Sequence, residues 1–154
     1  MRAHRPAVAA LLAAVALAAL AWPAPAQQRC APTRPDALGP FYAPDAPRRD
    51  ATGAGLTVSG RVRSAADCAP LGGARLEWWS ADPHGQYDDA HRATQVADAE
   101  GRYRYATDFP GRYPGRPPHL HVRVSAPGHR TLVTQIYPRP GDRELSQDFV
   151  LLRD

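Results

Sequence analysis

Glycine and proline interrupt this chain so often that little but short strands fits between them. The 154 residues include 12 Gly and 17 Pro, and proline inside a helix removes a hydrogen bond and clashes with the preceding turn. Between these breaks apolar residues alternate with polar ones, which is strand periodicity. Leu56, Val58 and Val62 share one face of a strand over 56–63. In 74–80, Ala74, Leu76 and Trp78 alternate with Arg75, Glu77 and Trp79, so adjacent tryptophans on opposite faces predict that both faces are covered. A loop over 82–91 leads to a short strand at 93–97, and the turn chemistry of Asp98 to Gly101 makes 102–107 the returning arm of a hairpin. Further strands are expected at 119–125, 131–137 and 148–152. Six or seven short strands with Gly/Pro turns and no helix of ordinary length predict an all-β fold, an antiparallel β-sandwich.

The first 26 residues stand apart. Met1, Arg2 and Arg5 give a basic start, Ala7 to Ala21 an apolar run, and Ala24-Pro-Ala26 an A-x-A cleavage site. This is the pattern of a secretory signal peptide, and the run is short of the roughly 20 residues that span a bilayer. A secreted chain, periplasmic or extracellular and without a membrane segment after cleavage, is therefore expected. Residues 27–55 carry Pro32, Pro35, Pro40, Pro44 and Pro47 and read as an extended N-terminal arm lying over the rest, 56–154, which forms the sandwich. Phe41 and Tyr42 put two neighbouring aromatics into this otherwise polar arm, where packing against the domain or lining a pocket both explain them.

All 19 basic residues are Arg; without Arg2 and Arg5, 17 face 15 acidic residues. The arginines are scattered rather than clustered, which gives nucleic-acid binding no support. Cys30 and Cys68 are the only cysteines. In an oxidising compartment a bridge between them is the favoured reading over two independent thiols, tying the arm to the first hairpin with about 3–4 kcal/mol in the chain-entropy model. No Cys-x-x-Cys pair marks a thiolate zinc site.

The chemistry gathers in 113–124. Tyr113 and Arg116 lie on a Pro/Gly-rich loop, and His119 and His121 follow with one residue between them. On a strand both imidazoles point to one face, about two rises of 3.3 Å apart, within reach of one metal ion. Two surface histidines on a solvated face give the same pattern. Tyr113 and Tyr87 are loop phenols that could join the pair, since a strongly charged cation can hold a phenol as phenolate; packed rim residues are the alternative. Phenolate plus imidazole is a hard, anionic donor set that suits a trivalent ion better than zinc. His84 and His91 beside Asp88 and Asp89 offer a second metal grouping, against which flexible loop polars are the simpler account, and His129 in a Pro-Gly turn is expected to be solvated.

Gly39-Pro-Phe-Tyr42, Trp79-Ser-Ala-Asp-x-x-Gly-x-Tyr87, Asp98-x-x-Gly-x-Tyr103, Tyr113-Pro-Gly-Arg116-x-x-His119-x-His121 and Thr134-Gln135-x-Tyr137 follow one another along nearly the whole of 27–154. In this order they resemble the signatures of the intradiol ring-cleavage dioxygenases. The resemblance implies a non-haem Fe(III) centre held by Tyr87, Tyr113, His119 and His121, with solvent completing the coordination. It implies a small aromatic diol and O2 as substrates, the diol chelating as a dianion and displacing Tyr113, and a cis,cis-muconate-type diacid as product. Arg116 matches the family's active-site arginine, expected to stabilise negative charge on the substrate, and Gln135 the polar residue beside it. On this reading 56–154 is the catalytic core.

Five residues separate Tyr113 from His119, and Gly115 stands where a bulky aromatic follows the Tyr-Pro pair in protocatechuate enzymes. The long N-terminal helical region of catechol dioxygenases has no counterpart, so the chain resembles the compact secreted branch of the family. Two rivals stay open at this point: a non-catalytic transthyretin-like binding module on the same strand pattern, and a zinc-dependent hydrolase using His119, His121 and a loop Asp.

Overall fold

A computed structural model describes residues 30–154; the expected leader over 1–26 lies outside the described residues. Eight strands follow in chain order: β1 (Leu56–Ser64), β2 (Arg75–Ala81), β3 (Tyr87–Val96), β4 (Arg102–Thr107), β5 (Leu120–Ser125), β6 (Leu132–Ile136), β7 (Glu144–Ser146) and β8 (Phe149–Leu151). They form two packed sheets, one ordered β4-β1-β7 with β8 also on β1, the other β3-β2-β5-β6. No described residue is helical, and the all-β sandwich expected from alternation is the architecture found.

Alternation sorts the side chains. Leu56, Val58 and Val62 of β1, Leu76 and Trp78 of β2, and Leu120, Val122 and Val124 of β5 meet in the core with Tyr105, Phe149 and Leu151. Burying each large apolar side chain contributes about 1.5–3 kcal/mol. Trp78 is the centre of this layer: its ring stacks on Tyr105 at 4.5 Å, and its indole N–H donates to Gln95 Oε1 at 2.9 Å. That hydrogen bond removes the cost of burying the indole nitrogen.

Several local expectations give way to tertiary pairing. The 102–107 strand is not the second arm of a hairpin with 93–97: β4 pairs antiparallel with β1, and the Asp98–Gly101 turn carries the chain from one sheet to the other. Likewise β1 and β2 lie in opposite sheets, so Cys68 sits in a short reversal at the end of β1, where Ser64 N donates to Ala69 O and Leu71 N to Val62 O, rather than in a β1–β2 hairpin. The expected strand at 148–152 is only Phe149–Leu151, preceded by an unforeseen β7, and both run parallel to β1. Turn residues mark where a chain reverses; they do not say which partner it meets afterwards. The loop foreseen over 82–91 is shorter than expected, because β3 begins at Tyr87, which pairs with Ala81 beyond a register shift in β2.

The segment from Cys30 to Gly55 is an extended arm. Thr33 bonds to Val150 of β8, Asp36 N donates to Val133 O of β6, and the chain then crosses the outer face of the β3-β2-β5-β6 sheet. It leaves along β3, where Thr94 N donates to Pro47 O, and along β4, where Thr52 N donates to Ala106 O. Cys30 and Cys68 are bridged, with their Cα atoms 5.2 Å apart. The bridge fixes the start of the arm to the connection after β1.

Candidate metal centre

Beneath the arm, the outer face of β2 and β5 presents Glu77, Trp79, His121 and Arg123, since Trp79 pairs with His121 and Glu77 with Arg123. Glu77 is buried and bonded by Arg75, Arg123 and the Tyr42 hydroxyl. Burial pushes its carboxyl pKa up, but the bonds and charges of Arg123 and Arg75 outweigh this and hold it below the usual range. Tyr42 also meets Trp79 edge-on, 5.0 Å between rings, so the arm is anchored by packing and by one polar contact.

Trp79 in turn stacks on His121 at 4.8 Å and 7°. The expectation of two covered faces is met: Trp78 and Trp79 are 1% and 2% exposed. Gly39 packs over the His121 ring on the arm side; a Cβ there would stand 3.1 Å from His121 Cε1, and its φ of +72° suits glycine.

Four donor atoms converge here. His119 Nε2 and His121 Nε2 are 3.1 Å apart, Tyr87 Oη lies 3.3 Å from the first and 3.2 Å from the second, and Tyr113 Oη lies 3.3 Å from His119 Nε2. Both histidines are 2% exposed, which removes the reading of a solvated pair. His119 comes just before β5 rather than within it. Its Nδ1 is 2.8 Å from the Pro117 carbonyl, so Nδ1–H donates and the Nε2 lone pair faces the cluster. His121 Nδ1 is buried with no acceptor in hydrogen-bonding geometry, although the Ala37 carbonyl is close enough to favour the charged ring.

Burial, then the neighbouring His119 and Arg116, push the His121 pKa down to about 4. Burial and Arg116 likewise lower that of His119, against the Pro117 carbonyl. Both rings are neutral near pH 7, the form that ligates a cation. Burial and the Tyr113 hydroxyl raise the Tyr87 pKa, so a strong cation is needed to draw off its proton.

Tyr113 is placed by a turn. Pro114 and Gly115, at φ +79°, occupy the central positions, and Arg116 N donates back to Tyr113 O at 3.1 Å. Gly115 serves this backbone conformation, for a Cβ there would meet nothing within 4 Å. The same turn aims Arg116 inward, where Nη2 donates to Gln135 Oε1 at 2.5 Å and Nε is buried without a partner.

Thus the structure brings Tyr87, Tyr113, His119, His121, Arg116 and Gln135 into one cluster. A metal ion fits the residues present: three lone-pair donors in mutual contact, and a fourth, Tyr113 Oη, touching His119 Nε2, are spaced like the edges of a coordination shell with bonds of about 2.0–2.1 Å. Among the described residues no group of three His, Cys, Asp or Glu could hold a metal, so a zinc site of the hydrolase type lacks its carboxylate.

Sequence reasoning left out two neighbours, Tyr137 and Asp36, and left Phe41 open between packing and lining a pocket. Phe41 stacks on Tyr87 at 4.1 Å, Tyr137 Oη donates within 2.9 Å of Asp36 Oδ2, and Asp36 reaches the cluster through that hydroxyl. Phe41 and Tyr137 lay in recognised motifs, whereas Asp36 carries no local signal.

The second grouping resolves differently. His91 is no loop polar but a buried residue of β3, with Nδ1 2.8 Å from Asp88 and Nε2 3.2 Å from Asp108. Burial lowers its pKa, yet the bonds and charges of the two carboxylates outweigh this and the net direction is up. It joins β3 to the end of β4. His129 is half-buried, with Nε2 3.1 Å from Ser64 Oγ, rather than solvated.

Fold and site together define a β-sandwich protein whose two-tyrosine, two-histidine cluster suits a hard, highly charged cation. Residues 40–152 match the dioxygenase family model, and the chain belongs to the intradiol ring-cleavage dioxygenase family. It is 34% identical to a 6-chlorohydroxyquinol 1,2-dioxygenase of Cupriavidus pinatubonensis over 77% of this chain and 54% of that protein. It is 33% identical to a hydroxyquinol 1,2-dioxygenase of a Rhizobium species over 73% of this chain and 50% of that protein. The chain spans about half the length of these curated relatives. Among solved structures it is similar to the dioxygenase domain of a dioxygenase carbohydrate-binding protein fusion from Streptomyces sp. SirexAA-E. That match has a TM-score of 0.72 and 35% identity, covering 80% of this chain and 100% of that one.

Proposed function

We propose that this chain is a non-haem Fe(III)-dependent dioxygenase that opens a catechol-type ring with O2 to a cis,cis-muconate-type diacid. The observation that carries this reading is the convergence of donor atoms: those of Tyr87, His119 and His121 touch one another, and Tyr113 Oη touches His119 Nε2. These four residues would hold the ion. Iron(III) bound there supplies a Lewis-acidic, redox-active centre at which an ortho-diol becomes reactive towards O2.

The chain's own residues supply the rest. The Pro117 carbonyl keeps His119 in one tautomer, and the Trp79 ring keeps His121 in plane. Phe41 covers one face of the Tyr87 ring, limiting water at that phenol. Tyr113 is carried on a turn rather than a strand, so its phenolate oxygen is the one free to swing aside and accept a diol proton. Arg116 presents a planar guanidinium with several N–H donors. Held by Gln135, it offers its N–H groups to negative charge on the diol oxygens and the opening ring. In the overall change the bond between the two hydroxyl-bearing carbons breaks, and both atoms of O2 end in the product.

The proposal includes export: the N-terminal residues have signal-peptide character, and the Cys30–Cys68 bridge suits an oxidising compartment. The test is the visible spectrum of the iron-loaded protein, before and after catechol under nitrogen, followed by product analysis on admitting oxygen. A broad tyrosinate-to-iron band that shifts with catechol, and a ring-opened diacid, are expected. A colourless protein that takes up no iron would overturn the reading.

A further inference from the structure

Four side chains link the arm to the active-site arginine. Asp36 Oδ2 accepts from Tyr137 Oη at 2.9 Å, Tyr137 Oη lies 2.9 Å from Gln135 Oε1, and Arg116 Nη2 donates to that same oxygen at 2.5 Å. Gln135 Nε2 donates back to Ala37 O at 2.7 Å, and Ala37 N to Asp36 Oδ1 at 2.6 Å. The relay therefore has a carboxylate at one end and a guanidinium at the other.

We propose that Asp36 is a specificity-determining residue that favours diol rings without an anionic substituent and disfavours ring carboxylates. The inference rests on the dioxygenase reading above. A bound diol brings negative charge on two oxygens, which the Arg116 guanidinium, held by Gln135 Oε1 at 2.5 Å, is placed to answer. On the arm side a carboxylate elsewhere on the ring meets that of Asp36, which the Tyr137 hydroxyl ties to Gln135 and so to Arg116. Like charges facing each other across an interface select against the wrong partner more than they favour the right one. The exposed position of Asp36 keeps the effect moderate, since water and salt screen it. Tyr137 Oη, 2.9 Å from both Asp36 Oδ2 and Gln135 Oε1, tethers the carboxylate to the residue that holds Arg116. The relatives described above act, by their names, on hydroxyquinols, rings without a carboxylate.

The experiment is an anaerobic titration of the iron-loaded protein with catechol and with 3,4-dihydroxybenzoate, followed in the visible band, with kcat/KM measured for both in oxygen. The native protein should prefer catechol by about tenfold or more, and Asp36→Asn should narrow that ratio by about threefold or more through tighter binding of the benzoate. Should Asp36→Asn load iron poorly, raising the salt from 0.05 to 0.5 M on the native protein gives an independent reading, because screening should narrow the same ratio. A ratio indifferent to both the substitution and salt, or a native preference for the benzoate, overturns the inference alone. Binding of neither diol by a protein that holds iron overturns the dioxygenase reading and this inference with it.

Discussion

Trp78 and Trp79 are neighbours in one strand and are buried almost equally, but for different reasons. Trp78 faces the other sheet and packs on Tyr105 and Phe149, and its own polar requirement is met by Gln95. Trp79 faces outward, and it is buried only because the Pro-rich arm lies over it with Tyr42 at its edge and His121 on its face. Its indole nitrogen has no hydrogen-bond partner. The inner face is thus closed by the sandwich itself and specifies the fold. The outer face is closed by an added segment and holds Glu77, Arg123, His121 and Gln135, which the core could not accommodate. The comparison teaches that the arm is part of the site, because it converts an exposed polar sheet face into a sheltered one.

The widest gap between the two faces should appear in metal binding. Replacing His121 by Ala, or Tyr87 by Phe, should weaken iron binding by more than the roughly 10–100-fold typical of losing a supporting residue, read as bound iron and loss of the visible band. Arg116→Ala should retain iron but lower turnover by about 100-fold or more. If Arg116→Ala also empties the site, the division between ligands and charge-stabilising residue is wrong.

A pair of truncations in β2 sharpens the contrast. Trp78→Ala should cost about 3–5 kcal/mol of stability by denaturant unfolding. Trp79→Ala should cost less in unfolding but weaken iron binding by about tenfold, since His121 loses the ring that orients it. Equal effects of the two on both measurements would erase the distinction between the faces.

Next comes the staple. Changing Cys30 and Cys68 together to Ser should lower stability by about 2–4 kcal/mol, and limited proteolysis should then cut within the arm before the sandwich. Cleavage first in the sandwich would show that the arm does not depend on the bridge.

The smallest expected effect is that of pH on the His91 link. The folded pKa of His91 lies above its ordinary 6.5, so its stabilisation is complete below that value and is lost as pH rises through the folded pKa. For Asp88, burial raises the pKa but the His91 hydrogen bond and charge outweigh it, so the folded value lies below the ordinary 3.8. That contribution is present above 3.8 and is lost as pH falls through the folded pKa. The stability difference between the native protein and His91→Gln should therefore be widest at mildly acidic pH and shrink towards alkaline pH, as unfolding curves at several pH values would show. A difference that grows with pH would mean that His91 is held neutral.

Much of this was legible without coordinates. Period-two alternation put Leu56, Val58 and Val62 on one face of the first strand and Leu76 and Trp78 on one face of the next, and the His-x-His spacing put two imidazoles on one side of the chain. The adjacent tryptophans announced a covered outer face. Pairing was not legible, because a Gly/Asp turn such as 98–101 fixes a reversal but leaves the next partner to long-range packing. For that reason β4 joined β1 and the last two strands ran parallel to it. His91 looked like a loop polar because its second partner, Asp108, lies 17 residues away, and Tyr87 looked like a loop residue because a register shift in β2 hides the start of β3.

The sequence by itself determined an all-β sandwich and an arm that could not be a helix, since residue type and local spacing are short-range properties; Tyr87, Tyr113, His119, His121 and Arg116 were singled out as one set only by the resemblance to a family. Only the tertiary structure decided that those donors touch, that Glu77 is neutralised beneath the arm, and that Asp36 is joined to Arg116. Asp36 and Arg116 are 80 residues apart in the chain, and no local rule links them. Their proximity follows from the arm crossing a sheet whose register is fixed by the burial of the opposite face.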